Sequence, residues 1–189
     1  MRDLNKINDG VSIELLTVNL ITERKRFDEE VIIKRIIFAA ASAIAFAAPV
    51  AAQQVPVPCG TPMSLEQAQA IVAAAERSAL ARNFTMAFAV VEPSGELILF
   101  QKMDGTQYGS ELVAREKART AARFKRSTKV FSDSIDGGRN AVLSLPGVIA
   151  VEGGVPIVMN GRIVGALGVS GGTSVQDGEV AAAALLGVK

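Results

Sequence analysis

The stretch that decides the fold is VIAVEGGVPIVMNGRIVGALGVSGG, residues 148–172. It contains three short apolar runs, separated by Glu152-Gly153-Gly154 and by Asn160-Gly161. An Asn-Gly pair between hydrophobic runs favours a type I′ turn, in which both central residues have positive φ, and so predicts a β-hairpin. The third run reaches Ser170-Gly171-Gly172 directly before a predicted helix. Free N–H groups at such a junction bind anions, so this corner is a candidate binding site.

The segments before and after this stretch complete an α+β pattern. Ser64 and Gln67 predict the capping box of a first helix, which extends to about Arg82. Two strands follow, then a helix that Ser110 is expected to cap, short helical segments, the three strands and a last helix. Consecutive strands joined by tight turns form antiparallel sheets. We therefore predict a five-stranded antiparallel sheet flanked by helices. The first two strands are expected at residues 85–91 and 96–102, and helical segments at residues 110–125, 139–143 and 175–186.

The N-terminal part of the chain predicts export. Lys34-Arg35 precede an apolar run and then the small residues Val50-Ala51-Ala52. This order is typical of a secretory signal peptide, although a buried helix has a similar apolar run. We interpret residues 31–52 as a signal peptide cut after Ala52, which predicts a periplasmic or secreted protein. If translation starts at Val31, residues 1–30 are a mis-assigned extension. Residues 53–62 are then a flexible arm, and residues 63–189 are the folded domain.

Composition excludes several classes of function. The chain has 189 residues, with 20 Lys and Arg, 19 Asp and Glu, and a net charge of +1. With this balance the chain has no strong positive electrostatic potential that would attract nucleic acid. Cleavage of the signal peptide would also leave no segment for membrane insertion. The absence of histidine excludes histidine-based nucleophilic catalysis, His-containing zinc sites and the commonest haem ligand. The single cysteine, Cys59, is either an unpaired thiol or an intermolecular bridge.

Charged residues around the second long helix are the first candidates for chemistry. Asp104 lies between a strand and this helix, and Lys117 lies on the helix. Asp104 could accept a proton and Lys117 could pair with an anionic ligand, but on the residues alone a turn aspartate and a solvated lysine is the simpler interpretation. Arg115, Arg119 and Arg123 repeat at i, i+4 spacing. They form either a solvated face paired with nearby glutamates or a surface for propionates or a neighbouring subunit.

Four ordered blocks are more specific than any single motif: Lys102–Gly105, Ala114–Ala121, Gly153–Ile157 and Gly165–Gly172. In their order and spacing they resemble the GlcG/HbpS family, also called the DUF336 or haem-degrading domain, which includes the C-terminal domain of PduO-type proteins. The resemblance covers nearly all of the predicted domain. It implies a profilin- or PAS-like sheet of five strands, assembly into homo-oligomers and, in some members, haem binding.

The resemblance also implies a binding site. Groups in the matched blocks, with Tyr108 between the first two blocks, would bind haem or another small, flat, anionic ligand: Met103, Asp104, Tyr108, Arg115, Lys117, Gly171 and Gly172. Without histidine, Tyr108 is the first candidate ligand for haem iron, and an aromatic contact between subunits is an equal alternative for it. The favoured function is a secreted domain that binds haem or a related tetrapyrrole. The alternatives are an enzyme with Asp104 and Lys117 as catalytic residues, and an oligomeric accessory protein without a ligand.

Overall fold

The computed structural model describes residues 57–188, together with Arg24 and Arg26, which are helical and exposed. The predicted extension, signal peptide and cleavage site fall on residues 1–52. Apart from Arg24 and Arg26, these residues lie outside the described part of the chain. No helix within the described part is long and apolar enough to cross a membrane. Residues 57–188 belong to one compact unit of the chain, Gln54–Lys189.

Helices and strands of this unit follow one another along the chain. Their order is α1 (Leu65–Leu80), β1 (Ala87–Val91), β2 (Leu97–Lys102), α2 (Ser110–Phe124), α3 (Lys129–Asp136), a 3-10 helix (Asn140–Ser144), β3 (Gly154–Met159), β4 (Arg162–Ser170) and α4 (Ser174–Ala184). The strands form one antiparallel sheet in the order β2-β1-β4-β3. The predicted α+β class is confirmed.

The prediction of a fifth strand over residues 148–151 is wrong, because the sheet formed by the described residues has 4 strands. The backbone of this segment is bonded elsewhere. The N–H of Val148 donates to the carbonyl of Leu145, and the N–H of Ile149 donates to the Thr120 hydroxyl. A bend then leads to Gly153, whose φ is 127°, before β3 begins. β3 is therefore an edge strand.

The hairpin predicted from Asn160-Gly161 is confirmed. These residues have φ of 51° and 71°, as a type I′ turn requires, and Met159 lies opposite Arg162 across the turn. The register shifts once, after Ile157. This hairpin places β4 next to β3, and β4 pairs with β1 on its other side.

Side-chain caps fix two of the helix starts. Ser64 and Gln67 form the predicted capping box of α1, and Thr173 and Gln176 form another at the start of α4. The predicted cap of α2 is wrong, because Ser110 is the first residue of that helix and not its N-cap. Its side chain is buried, with Oγ 3.3 Å from Ser170 Oγ on β4.

The helices cover both faces of the sheet. On one face α1 and α4 pack over a core that includes Phe88 and Leu167. On the other face, the alanines of α2 meet alanines of β1 and β4. A Cβ on Gly168 would lie 2.6 Å from the backbone nitrogen of Ala118, so glycine permits this close approach of helix and strand.

Part of the predicted flexible arm is anchored to the sheet. The N–H of Ile163 donates to the Pro58 carbonyl at 2.9 Å, and the N–H of Gly60 donates to the Ile163 carbonyl at 2.8 Å. β1 pairs with β4 only from Ala166 onward. The segment from Pro58 to Gly60 therefore pairs with the edge of β4 that β1 leaves free.

Candidate functional site

Lys117 lies on the inner face of α2, and its partner is an aspartate of another helix. Its Nζ is 2.6 Å from Oδ2 of Asp177 on α4 and donates to the carbonyl of Val169 on β4 at 3.2 Å. The two charged side chains are 1% and 3% exposed. The pair thus joins α2, β4 and α4 below the surface, and Lys117 Nζ has no access to a ligand in solvent.

Burial dominates the electrostatics of this pair. Desolvation lowers the pKa of Lys117, although the hydrogen bond to Asp177 and the charges of Asp177 and Glu152 act to raise it. Desolvation likewise raises the pKa of Asp177 against the effects of Lys117 and of the backbone N–H groups of Gly172 and Gly171. In both residues the charged form is the one that burial disfavours, so the pair is tolerated only because each charge has the other.

Glycine is required where β3 begins beside this pair. A Cβ on Gly153 would lie 2.8 Å from Lys117 Nζ and 2.7 Å from the Val169 carbonyl oxygen. A Cβ on Gly154 would lie 2.7 Å from the Thr128 side chain. Within the third matched block, Gly153 therefore makes room for the buried lysine side chain and Gly154 makes room for Thr128.

The glycine corner before α4 is not open to an external anion. The N–H of Gly172 donates to Oδ1 of Asp177 at 2.9 Å. The prediction that Gly171 and Gly172 bind a ligand anion is corrected for Gly172, since the chain's own Asp177 carboxylate occupies that donor. The physical reason stands: N–H groups at a helix start attract a carboxylate, here one supplied from within the same helix.

The predicted cooperation of Asp104 with Lys117 is also corrected. Asp104 is exposed in the loop between β2 and α2, whereas Lys117 is buried against Asp177. An enzyme that uses the two side chains together has no basis in this geometry. A role for Asp104 alone in ligand binding stays a prediction.

A different set of residues faces solvent from the turn before α2 and from the outer side of α2. Tyr108, Leu112 and Arg115 follow helical spacing, and we call them the outer stripe. Tyr108 is 92% exposed, Leu112 is 66% exposed and the Arg115 side chain is 39% exposed. Lys102 Nζ lies 5.3 Å from the centroid of the Tyr108 ring, in cation–π range. The outer stripe, together with Lys102 beside it, therefore combines an aromatic ring, an aliphatic side chain and two cations on an accessible surface.

The loop below the outer stripe has one buried polar atom without a partner. Met103 is turned inward, and its Sδ accepts from the N–H of Met86 at 3.4 Å. Thr106 is 6% exposed, and its Oγ1 has no hydrogen-bond partner among the described residues. Met103 thus belongs to the packing of the loop, and a direct contact between it and a ligand stays a prediction.

Sequence reasoning missed Asp177, Lys102 and Leu112. The signal for Asp177 was its place in the first turn of a helix that follows two glycines, where a carboxylate can fold back onto the preceding N–H groups. Leu112 could have been found from its spacing of four residues after Tyr108. Lys102 lies on a strand end, and its approach to Tyr108 depends on the loop between them.

Comparison with known proteins shows the family to which this chain belongs. The sequence model of the family described as "Haem degrading protein HbpS-like" matches residues 63–186. The chain belongs to this family, as the four blocks predicted. The chain is 40% identical over 108 residues to Protein GlcG of Escherichia coli K12, covering 57% of this chain and 81% of that protein.

Solved structures of similar proteins share the fold. The crystal structure of Klebsiella pneumoniae protein ORFY, of family DUF336, is 32% identical with a TM-score of 0.62, covering 67% of this chain and 90% of that one. A structure of a PduOC:heme complex is 25% identical with a TM-score of 0.60, covering 66% and 94%. A double mutant of Streptomyces reticuli HbpS is 28% identical with a TM-score of 0.61, covering 74% and 95%.

Proposed function

We propose that this protein binds haem or a related tetrapyrrole at the outer stripe. The observation that carries the proposal is the exposure of Tyr108, at 92%, beside Lys102 and in line with Leu112 and Arg115. A tetrapyrrole has a flat apolar ring and carboxylate side chains, and the outer stripe offers groups for both. Support also comes from family membership and from the similar PduOC protein, whose structure is a heme complex.

The residues of the outer stripe can provide an iron ligand, partners for the propionates and an apolar contact for the ring of haem. Haem would supply a flat ring and an iron centre, and the Tyr108 hydroxyl of the outer stripe would be the iron ligand, because the chain has no histidine. Arg115 and Lys102 would bind the propionates, each charge-assisted hydrogen bond contributing about 1.5–3 kcal/mol. Leu112 would contact the ring. Lys117 and the Gly172 N–H are excluded from these roles because Asp177 already occupies both.

Assembly is part of the proposal. The outer stripe is an open surface and not an enclosed pocket, so one copy of the chain would cover only one side of a flat ligand. We propose a homo-oligomer in which a second copy covers the other side. Cys59 is free and exposed, and assembly is expected to persist in a reductant. Export to the periplasm or beyond and a profilin- or PAS-like relationship of the sheet are further proposals.

A haem titration of the full chain, followed by absorbance, tests the proposal. We expect saturable uptake with a high-spin ferric spectrum and no bis-histidine signature. Tyr108→Phe removes one oxygen and little volume, so it should change the spectrum while leaving the fold intact. Arg123→Gln is a matched control, since Arg123 lies on the same helix but donates to Ser94. Absence of saturable uptake by the wild type would refute the proposal.

One rival function has an observation in its favour. Tyr108 and Leu112 also form an exposed apolar surface that another protein could cover. If haem is not taken up but the outer stripe still mediates assembly, the accessory role is the correct one. Light scattering of the wild type and of Leu112→Ser, without haem, distinguishes these outcomes.

A further inference from the structure

A cleft at the other end of the sheet has no role in the function proposed above. It has a volume of about 320 Å³ and lies between the arm, the start of α1 and the tip of the β3–β4 hairpin. Its walls include Thr61, Met63, Gln67, Met159, Arg162 and Val164. β4 is 9 residues long, so its two ends are separated by about 26 Å. The cleft is at the Arg162 end, and the outer stripe is near the Ser170 end.

Arg162 is the one charged residue among those that line this cleft. Arg162 makes no ion pair with the residues that the structure describes, and no acidic residue lines the cleft. Gln67 is oriented by the capping box, because its Oε1 accepts from the N–H of Ser64 at 2.8 Å. Its Nε2 must therefore point away from Ser64, and it meets Met159 Sδ at 3.8 Å. A thioether is a weak acceptor, so this amide donor lacks a strong partner.

The remaining wall is apolar and close to the donors. Met63 is buried and Met159 is half-buried, and both pack with the core on the α1 side of the sheet. Gly60 lets the arm lie against the stem of Arg162, since a Cβ there would be 3.1 Å from Arg162 Cβ. Arg162 is exposed, and it shares the lining of the cleft with the two methionines and Val164.

We propose that this cleft binds a short aliphatic carboxylate. A carboxylate matches the fork of the Arg162 guanidinium and the free N–H of Gln67, and a cation would find no carboxylate among the lining residues. Methionine side chains adapt to an unbranched hydrocarbon stem. The cleft volume is at the lower end of the range of small-molecule sites, so a compact ligand fits and a tetrapyrrole does not.

The five methionines of the chain provide a direct test. The full chain is labelled with ¹³C at the methionine methyl groups and titrated with hexanoate. We expect saturable shifts of the Met63 and Met159 methyls and unchanged Met86 and Met103 methyls, because the latter lie at the outer-stripe end of the sheet. Met63→Leu and Met159→Leu assign the signals. Equal shifts of all methionines, or shifts of Met86 and Met103 alone, would overturn the proposal.

Two comparisons establish that the carboxylate is what the cleft recognises. Arg162→Gln should weaken hexanoate binding by at least about tenfold, whereas Arg82→Gln, at the far end of α1, should leave it unchanged. In the wild type, hexanamide should bind at least about tenfold more weakly than hexanoate, which requires no variant to fold. Equal binding of hexanoate and hexanamide, or of hexanoate to wild type and Arg162→Gln, would overturn the proposal. Since Tyr108 is outside the cleft, loss of haem binding leaves this result unaffected.

Discussion

Both faces of α2 carry basic residues, but the residue on the inner face is buried and the residue on the outer face is exposed. On the inner face, Lys117 is 1% exposed and is bonded to Asp177 on another helix. On the outer face, Arg115 is 39% exposed and pairs at 3.4 Å with Glu111 on its own helix. A buried charge without its partner is strongly destabilising, whereas an exposed pair contributes little. The inner face of α2 therefore contributes to the stability of the fold, and its outer face is available for binding.

The comparison explains why family motifs alone did not separate these roles. Lys117 lies within a matched block, and the resemblance predicts that it binds the ligand, but in the structure its partner is Asp177. Tyr108 lies between two matched blocks and faces solvent. Changes on the inner face should alter the free energy of unfolding, and changes on the outer face should alter binding and assembly.

The largest effect is expected from Lys117→Met. This substitution leaves Asp177 buried without its counter-charge and should lower the free energy of unfolding by about 3–5 kcal/mol, measured by urea denaturation. Lys129→Met is the matched control, because Lys129 forms an exposed i, i+4 pair with Asp133 and its loss should have little effect. Equal stability of the two variants would contradict the role assigned to the inner face.

A double variant sharpens the same test. Desolvation disfavours the charged forms of both residues, so replacing the pair with apolar side chains removes that penalty along with the attraction. Lys117→Met with Asp177→Leu should therefore be more stable than Lys117→Met alone. A loss equal to the sum of the single losses would mean that the two residues stabilise the fold independently.

A smaller loss is expected from Gly153→Ala. The added Cβ would meet Lys117 Nζ and the Val169 carbonyl at 2.8 and 2.7 Å, and its φ of 127° is unfavourable for alanine. We expect a loss of about 1–3 kcal/mol in the free energy of unfolding. Gly109→Ala is the control, since no atom lies within 4 Å of its added Cβ and its φ is −64°. A loss of the same size in both variants would contradict the steric explanation.

The smallest effect on stability is expected from Leu112→Ser on the outer stripe. Leu112 is 66% exposed, so the free energy of unfolding should change by no more than about 0.5 kcal/mol. Assembly and haem uptake, measured by light scattering and absorbance, should both weaken. Leu80→Ser, at another exposed helical position, should change neither. A marked loss of stability without any change in binding would reverse the roles assigned to the two faces.

Local signals in the sequence predicted much of the fold. The capping box of Ser64 and Gln67 and the turn at Asn160-Gly161 depend on a few neighbouring residues, and the structure contains both. The strand predicted over residues 148–151 failed because its N–H groups bond to a turn and to Thr120, which is distant in sequence. Apolar content alone does not reveal that competition.

The candidate site was harder to predict for a related reason. Lys117 lies three residues after Ala114 and four before Ala121, on the alanine face that packs against the sheet. Its helical position therefore indicated burial, but a buried lysine needs a partner, and Asp177 is 60 residues away in sequence. Tyr108 could be chosen by elimination, because it is the one tyrosine in a chain without histidine or tryptophan. That Tyr108 is 92% exposed is seen only in the structure.

Amide hydrogen exchange of the full chain, with and without saturating haem, tests the assignment of binding to the outer face of α2 most directly. We predict slower exchange with haem at residues 104–112, which include Tyr108 and the first turn of α2. Exchange at residues 58–67, beside the cleft, should be unchanged. Haem uptake that slows exchange elsewhere and leaves residues 104–112 unaffected would contradict the account.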